Sequence, residues 1–265
     1  KKYSHVYILD KVNKPAIAAK LSRIKNIIGP GIGNQKKWLT VKNFLSTQDT
    51  NLNYSEQSQK ILKINSIPIS NIYPEININL ERFRIGNLDL EIKGRKIAFG
   101  IDSFEDYKMW YEEDFVKLAD KLYEKKLFDY IYLLCGKEKS YLADNIIKLS
   151  NKNFFINCSN KDLNGIIYAL KNSSFLVGNN SGPINLGAAL SIKSFGLIAN
   201  DPIEELQYSK IKIITPDIYS NTRCRERVGM KKLTVDKVFN KIMEDLNQWK
   251  RQILYYHPQT IKILT

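Results

Sequence analysis

The residues best placed to do chemistry lie between Ser174 and Leu190, in S-F-L-V-G-N-N-S-G-P-I-N-L-G-A-A-L. Phe175, Leu176 and Val177 form a short apolar run of the kind that suits a strand buried on both faces. Gly178, Asn179, Asn180, Ser181 and Gly182 are turn formers. Pro183 stands where the first residue of a helix needs no N–H, and Ile184 to Leu190 continue as a small-residue helix able to press closely on a sheet. A strand, a Gly-rich turn and a helix start expose free N–H groups backed by the helix dipole, an arrangement that takes a phosphate or a pyrophosphate. An unliganded turn in a Rossmann-like sheet has the same composition, so the local pattern leaves both readings open.

Two further loops carry polar groups at strand ends. Asp102 to Trp110 contains Lys108-Met109-Trp110 just before an amphipathic helix. There an ammonium can reach a phosphate while the indole closes the loop on the sheet; a solvated lysine and a packing tryptophan are the plainer alternative. Gly136-Lys137-Glu138 follows an apolar strand. Glu138 can accept hydrogen bonds from ribose hydroxyls, or it can simply favour a helix start.

The elements that must hold these loops follow a regular rhythm after Gly94. Strands are expected at Lys96–Ile101, Tyr130–Cys135, Phe154–Asn157, Phe175–Val177, Lys193–Ile198 and Ile211–Ile214. Helices are expected at Glu112–Lys125, Ser140–Leu149, Leu163–Leu170 and Pro202–Tyr208, with a last one from Val235 toward Leu254. Strands alternating with helices of this length imply crossover units and a parallel sheet, with ligands at the carboxyl ends of the strands. Before Gly94 the signals are sparser: a strand at Val6–Leu9, a helix at Pro15–Leu21, a short strand at Asn26–Ile28 and a helix at Tyr54–Ile64. Ile76, Ile78 and Leu80 alternate with asparagines, which predicts a half-exposed strand. The polar stretch from Glu81 to Arg95 sets a domain boundary at 93/94, with 94–250 as the second domain and 251–265 as a tail.

Composition removes several function classes. The 265 residues are 43% hydrophobic, enough for real cores, yet no apolar run approaches the ~20 residues of a membrane span. The net charge of +14 would suit nucleic acid, an anionic membrane face or phosphorylated substrates. The lysines are scattered, without a basic run or interleaved aromatics, which argues for a generally basic surface and no nucleic-acid partner. Cys135, Cys158 and Cys224 are odd in number and far apart, which fits a reducing cytoplasm and gives neither a disulfide framework nor a metal spacing. With His5 and His257 alone, no histidine metal site or triad is expected.

In their order along the chain these segments resemble glycosyltransferase family 9, the ADP-heptose:lipopolysaccharide heptosyltransferases. That family carries K-x-W before a helix, a strand ending in Gly with a nearby Glu, and later G-N-D-S-G-P-x-H-x-A-A-A. The last motif reads here Gly178-Asn179-Asn180-Ser181-Gly182-Pro183-Ile184-Asn185-Leu186-Gly187-Ala188-Ala189. Met230 to Val238 is similar to the family's closing segment, Tyr3 to Leu9 to its Y-D-L-V-I-D-L strand, and Tyr54 to Ile67 to its helix ending in L-G-I.

The resemblance implies a GT-B α/β fold of two Rossmann-like domains with parallel sheets, residues 1–93 forming an incomplete acceptor-side domain and 94–250 the donor domain. It implies inverting, metal-independent transfer of a heptose-like sugar from a nucleotide-diphosphate sugar to a lipopolysaccharide-core or other glycan or lipid-linked acceptor, with no cofactor. The setting it implies is the cytoplasm, with peripheral contact at the anionic inner membrane. Its donor-binding residues would be Lys108, Glu138, Gly178, Asn179, Asn180, Ser181, Gly182, Pro183 and Asn185.

Asn180 and Asn185 replace the family's Asp and His; they keep hydrogen-bonding capacity and lose general-base capacity. The family's opening strand and G-D-x-x loop, which supplies its base, have no counterpart here, so the chain is expected to begin within a domain and no base is assigned. The competing expectations are a nucleotide-binding domain without catalysis and a GT-B enzyme that uses another nucleotide-sugar.

Overall fold

The computed structural model describes residues 3–69, 75–84, 86–199, 201–206, 210–220 and 226–256, without the side chains of 204, 205 and 249–256. Cys224, His257 and the rest of the tail beyond 256 therefore lie outside the described residues. The chain divides into two compact units, Lys1–Pro74 and Glu75–Thr265.

In the first unit, β1 (His5–Tyr7), α1 (Lys14–Leu21) and β2 (Asn26–Ile28) form a βαβ unit whose two strands pair in parallel. Pro15 sits in the first turn of α1, where its missing N–H has no intrahelical partner to lose. Ala16 and Ala19 turn inward onto Ile8, Ile27 and Leu39, a small core. Gln35, fully buried, ties the loops above it: its Oε1 accepts from Gly31 N at 2.9 Å, and its Nε2 donates to the carbonyls of Asp10 at 2.8 Å and Val12 at 2.9 Å. Residues 33–37 and 48–51, which show no clear periodicity in sequence, are short 3-10 turns. Next comes α2 (Tyr54–Ile64), opened by a reciprocal capping box between Asn53 and Glu56.

The second unit begins with coil. Ile76–Leu80 forms no strand: Ile76 N donates to Ala189 O, while Ile78 and Leu80 pack on a hydrophobic cluster. The alternation there marks side chains pressed on a core without a partner strand. A single turn, α3 (Glu81–Arg84), leads toward Leu90, which is buried in the same cluster.

The regular part follows as β3 (Lys96–Gly100), α4 (Glu112–Glu124), β4 (Tyr130–Leu134), α5 (Ser140–Ser150), β5 (Phe155–Asn157), α6 (Leu163–Lys171), β6 (Leu176–Asn179), α7 (Gly182–Ala189), β7 (Ser194–Leu197), β8 (Ile211–Ile214), α8 (Val228–Lys231) and α9 (Val235–Tyr256). The expected helix at Pro202–Tyr208 is a 3-10 turn over Ile203–Leu206 that buries Leu206; residues 207–209 lie outside the described ones.

All six strands of this sheet are parallel, in the order β5-β4-β3-β6-β7-β8. Each strand sends alternate residues to opposite faces. Ile97, Phe99, Ile131, Leu133, Val177 and Phe195 meet the apolar stripes of α4, α5 and α9. Ala98, Tyr132, Leu134 and Leu176 meet α6 and α7. Burial on both faces explains why these strands read as continuous apolar runs. No helix among the described residues is long and apolar enough to cross a membrane.

Candidate functional site at the switch point of the sheet

From β3 the chain winds outward through β4 to β5, then returns to β6 and winds the other way through β7 to β8. The order reverses between β3 and β6, and an open parallel sheet leaves a crevice outside the carboxyl ends at that point. The loops after these two strands are Ile101–Tyr111 and Asn180–Ser181, two of the three stretches singled out above. Gly178 makes the close pairing possible: a Cβ there would lie 2.9 Å from Gly100 O. Over Gly100 packs Pro183, 3.3 Å from where a Cβ would stand.

Asn179 bolts the two loops together. It is fully buried; its Oδ1 accepts from Trp110 N at 3.0 Å and its Nδ2 donates to Ile101 O at 2.9 Å. Ser103 Oγ donates to the carbonyl of the buried Asn180 at 3.3 Å. Trp110 closes its loop on the sheet as expected: it is 1% exposed, edge-on to Phe115 at 5.1 Å, and its indole N–H donates to Leu233 O at 2.9 Å.

Arg227, which sequence reasoning missed, holds the far side of the same loop. Its Nε donates to Met109 O at 2.9 Å, its Nη2 to Trp110 O at 3.0 Å, and its guanidinium lies 4.2 Å from the Tyr111 ring centroid. An arginine 117 residues downstream of the carbonyl it serves carries no local sequence signal.

The loop after β4 joins from the other side. Gly136 N donates to Asp102 Oδ2 at 2.6 Å. Lys139 Nζ donates to Ser103 O at 2.8 Å and pairs with Asp106 at 2.6 Å, which holds the Asp106 carboxyl below the usual carboxylate range. Glu138 is exposed, and its carboxylate makes no hydrogen bond or ion pair among the described residues.

The start of α7 is open. Ser181 is its extended N-cap residue but gives no side-chain cap. Asn185 Nδ2 donates back to Ser181 O at 3.1 Å, while Ser181 Oγ and Asn185 Oδ1 are buried atoms with no hydrogen-bond partner among the described residues. Nothing lies within 4 Å of a Cβ built on Gly182. A helix N-terminus with uncapped N–H groups and a free hydroxyl donor at Ser181 can receive an anion, whereas Asn185 Oδ1 is an acceptor and calls for a donor instead.

Lys108 is not a solvated ammonium, the plainer of the two alternatives for its loop. Its Nζ stands 3.0 Å from Glu105 Oε2 and 3.2 Å from Asp201 Oδ2, with the lysine side chain 11% exposed. Tyr107 Oη donates its one proton to Glu105 Oε2 at 2.9 Å and stands 3.4 Å from Asp201 Oδ1. Burial, and then the bond to Glu105, push its hydroxyl up to about 12, so it stays a donor at neutral pH. Among the described residues no group of three or more His, Cys, Asp or Glu side chains is placed to hold a metal ion.

The class that follows from strand order and loop placement is a Rossmann-like α/β ligand-binding domain, with its site at the topological switch point. More particularly, the chain belongs to glycosyltransferase family 9 (heptosyltransferase), whose family model matches residues 56–234, and glycosyl transfer is its class of activity. No curated protein matches the chain in sequence.

Among solved structures it is similar to the E. coli ADP-heptose lipopolysaccharide heptosyltransferase II, with a TM-score of 0.74 at 15% identity over 94% of this chain and 78% of that one. The E. coli heptosyltransferase WaaC with ADP gives 0.68 at 16% identity, over 92% of this chain and 73% of the other. A glycosyl transferase family 9 protein from Veillonella parvula gives 0.71 at 16% identity, over 91% and 72%. At these identities the likeness is one of fold, the parallel-sheet GT-B type.

Proposed function

We propose that the crevice between β3 and β6 binds the diphosphate of a nucleotide-diphosphate sugar, and that the chain transfers a heptose-like sugar from it to a lipopolysaccharide-core or other glycan or lipid-linked acceptor. The observation that carries this reading is the uncapped start of α7, with the Ser181 hydroxyl unmet, on the same sheet edge as the Lys108 loop. Similarity to solved heptosyltransferases described with ADP and with ADP-2-deoxy-2-fluoro heptose supports it.

Negative charge grows on the diphosphate as it leaves. The N–H groups of Gly182 and Ile184 and the Ser181 hydroxyl are the groups here that can stabilise that charge without reorganising, and the Lys108 ammonium adds to them by exchanging a carboxylate partner for the phosphate. Asn179 serves as the bolt of the site, Gly178 and Pro183 shape it, and Asn180 and Asn185 offer hydrogen bonds but no proton acceptor. Glu138, exposed and unengaged, is assigned to the ribose hydroxyls. We assign the donor to residues 94–250 and the acceptor side to residues 1–93, and read the transfer as inverting and independent of metal. The +14 charge suits peripheral contact with an anionic membrane in the cytoplasm.

A second reading, nucleotide binding without transfer, is favoured by the neutral Asn180 and Asn185 at positions where the family carries Asp and His.

Calorimetry with ADP and adenosine tests the site. Lys108→Ala should lower ADP affinity by ~1–3 kcal/mol and leave adenosine almost unchanged; equal losses would show that Lys108 only shapes the fold. Release of ADP from ADP-heptose in the presence of a glycan acceptor, undiminished by EDTA, separates transfer from binding alone and tests metal independence.

A further inference from the structure

We propose that α1 and the basic residues that frame it are the surface by which the chain lies on an anionic lipid bilayer. The inference rests on the reading of peripheral membrane contact and gives that contact a place; it does not depend on the donor site.

The basic residues are scattered along the chain, but the acidic ones are not. Between Asp10 and Asp49 there are eight lysines and arginines and no carboxylate. Five of the eight, Lys11, Lys14, Lys20, Arg23 and Lys25, fall in or beside α1, and all five are exposed. Among the described residues of the first unit only Lys60 is ion-paired, to Asp49. In the second unit Lys121, Lys139, Lys152 and Lys161 each meet a carboxylate.

The helix itself is apolar on two sides. Ala16 and Ala19 turn onto the core. Lys14, Ala18 and Leu21, at i, i+4 and i+7, share the opposite face, where Ala18 is exposed and Leu21 is 76% exposed. Val12, 45% exposed, stands just before the helix. A surface helix ordinarily buries one apolar stripe and turns polar groups outward; a helix with a second apolar side has one left to cover.

Charge selects the cover. A second copy would bring the same uncompensated cations against these. A nucleic acid would meet the cations, but residues 11–25 hold no aromatic ring for base stacking, and Leu21 would stay in water. An anionic bilayer meets both groups. Leu21 and Val12 enter the boundary between headgroups and acyl chains, while the lysine stems run along it and their ammoniums reach lipid phosphates.

The test is sedimentation of the full chain with vesicles of phosphatidylcholine alone and of phosphatidylcholine with phosphatidylglycerol. The chain should bind the anionic vesicles and leave the neutral ones largely unbound. Lys14→Gln/Lys20→Gln/Arg23→Gln should weaken that binding about a hundredfold, the usual contribution of three cations near the lipid surface. Lys36→Gln/Lys37→Gln/Lys42→Gln removes the same charge elsewhere in the unit and should weaken it less than about tenfold. Leu21→Gln, at unchanged charge, should weaken it about fivefold. Circular dichroism checks that each variant is folded; if the triple α1 variant is not, Leu21→Gln alone decides.

If the chain binds anionic vesicles but the α1 variants bind no more weakly than the Lys36→Gln/Lys37→Gln/Lys42→Gln protein, this surface is overturned and peripheral contact stands. An unchanged Leu21→Gln, with single-stranded DNA bound as tightly as the vesicles, would make the face a nucleic-acid surface and overturn the lipid assignment. If the chain does not bind anionic vesicles, both the surface and the contact are overturned.

Discussion

Gly178 and Gly182 stand four residues apart in one motif and do different work. At Gly178 a Cβ would meet the Gly100 carbonyl at 2.9 Å, so even alanine must push β6 away from β3. Gly178→Ala should destabilise the protein by ~1–3 kcal/mol, the usual range for overpacking, which a denaturant titration will read. At Gly182 a Cβ meets nothing within 4 Å, and this open space is the one to which the proposed diphosphate is assigned. Gly182→Val should therefore keep its melting temperature within a few degrees and lose ADP affinity. A folded Gly182→Val protein with unaltered affinity would place the diphosphate elsewhere. The cysteines illustrate the opposite outcome: Cys135 and Cys158 are buried, burial pushes both thiols up to about 12, and they act as core atoms.

Elements are joined at this site by side chains that no helix or strand period announces. Asn179, at the end of β6, satisfies one donor and one acceptor of the β3 loop. Asn179→Ala strands both groups in a buried place, at about 1–3 kcal/mol each. It should lower stability by more than Gly178→Ala and free the 102–110 loop, seen as faster exchange of the Trp110 amide; an unchanged amide would mean that the loop's other ties, Arg227 and Lys139 among them, hold it without Asn179.

In the first unit the 46–51 turn depends on Asp49, which accepts from Ser46 N and Oγ and pairs with Lys60. Lys60, followed by Ser46, lowers the Asp49 carboxyl from 3.8 to about 2. A carboxyl depressed in the folded state stabilises above its unfolded pKa and loses that contribution as pH falls through the folded value. Pepsin should accordingly nick the first unit increasingly as pH drops from about 4 to about 2. Asp49→Asn should be nicked to a more nearly constant extent across that window, and equal pH dependence in the two proteins would remove Asp49 from the account.

The two units differ in what holds them. The first has a two-stranded sheet and two small buried clusters. The second has six parallel strands covered on both faces by large clusters. Local opening follows the amount of apolar surface that must be exposed. In hydrogen exchange, peptides from residues 3–69 should exchange well before those of β3, β4 and β6. Equal protection would show that the two units open as one.

What the sequence by itself determined was the set of elements and their class. Strands buried on both faces appear as unbroken apolar runs, helices such as α4 show Phe115, Leu118, Ala119 and Leu122 at helical spacing, and the Gly178–Ala189 motif carries its strand, turn and helix within one short stretch. These signals are local, so they can be read along the chain. Ile76–Leu80 shows the limit: alternation identified side chains that face a core, but a strand also needs a partner strand, and none is formed there. Tertiary structure alone decided that β3 and β6 are neighbours, which turns two loops far apart in sequence into one crevice. It also decided that Lys108 meets Asp201, that Asn179 holds Trp110, and that Arg227 braces the same loop. Each of these joins residues separated by 69 positions or more. Such contacts follow from the winding order of the sheet and from the need to pair buried polar groups, and neither leaves a periodic trace in the amino-acid order.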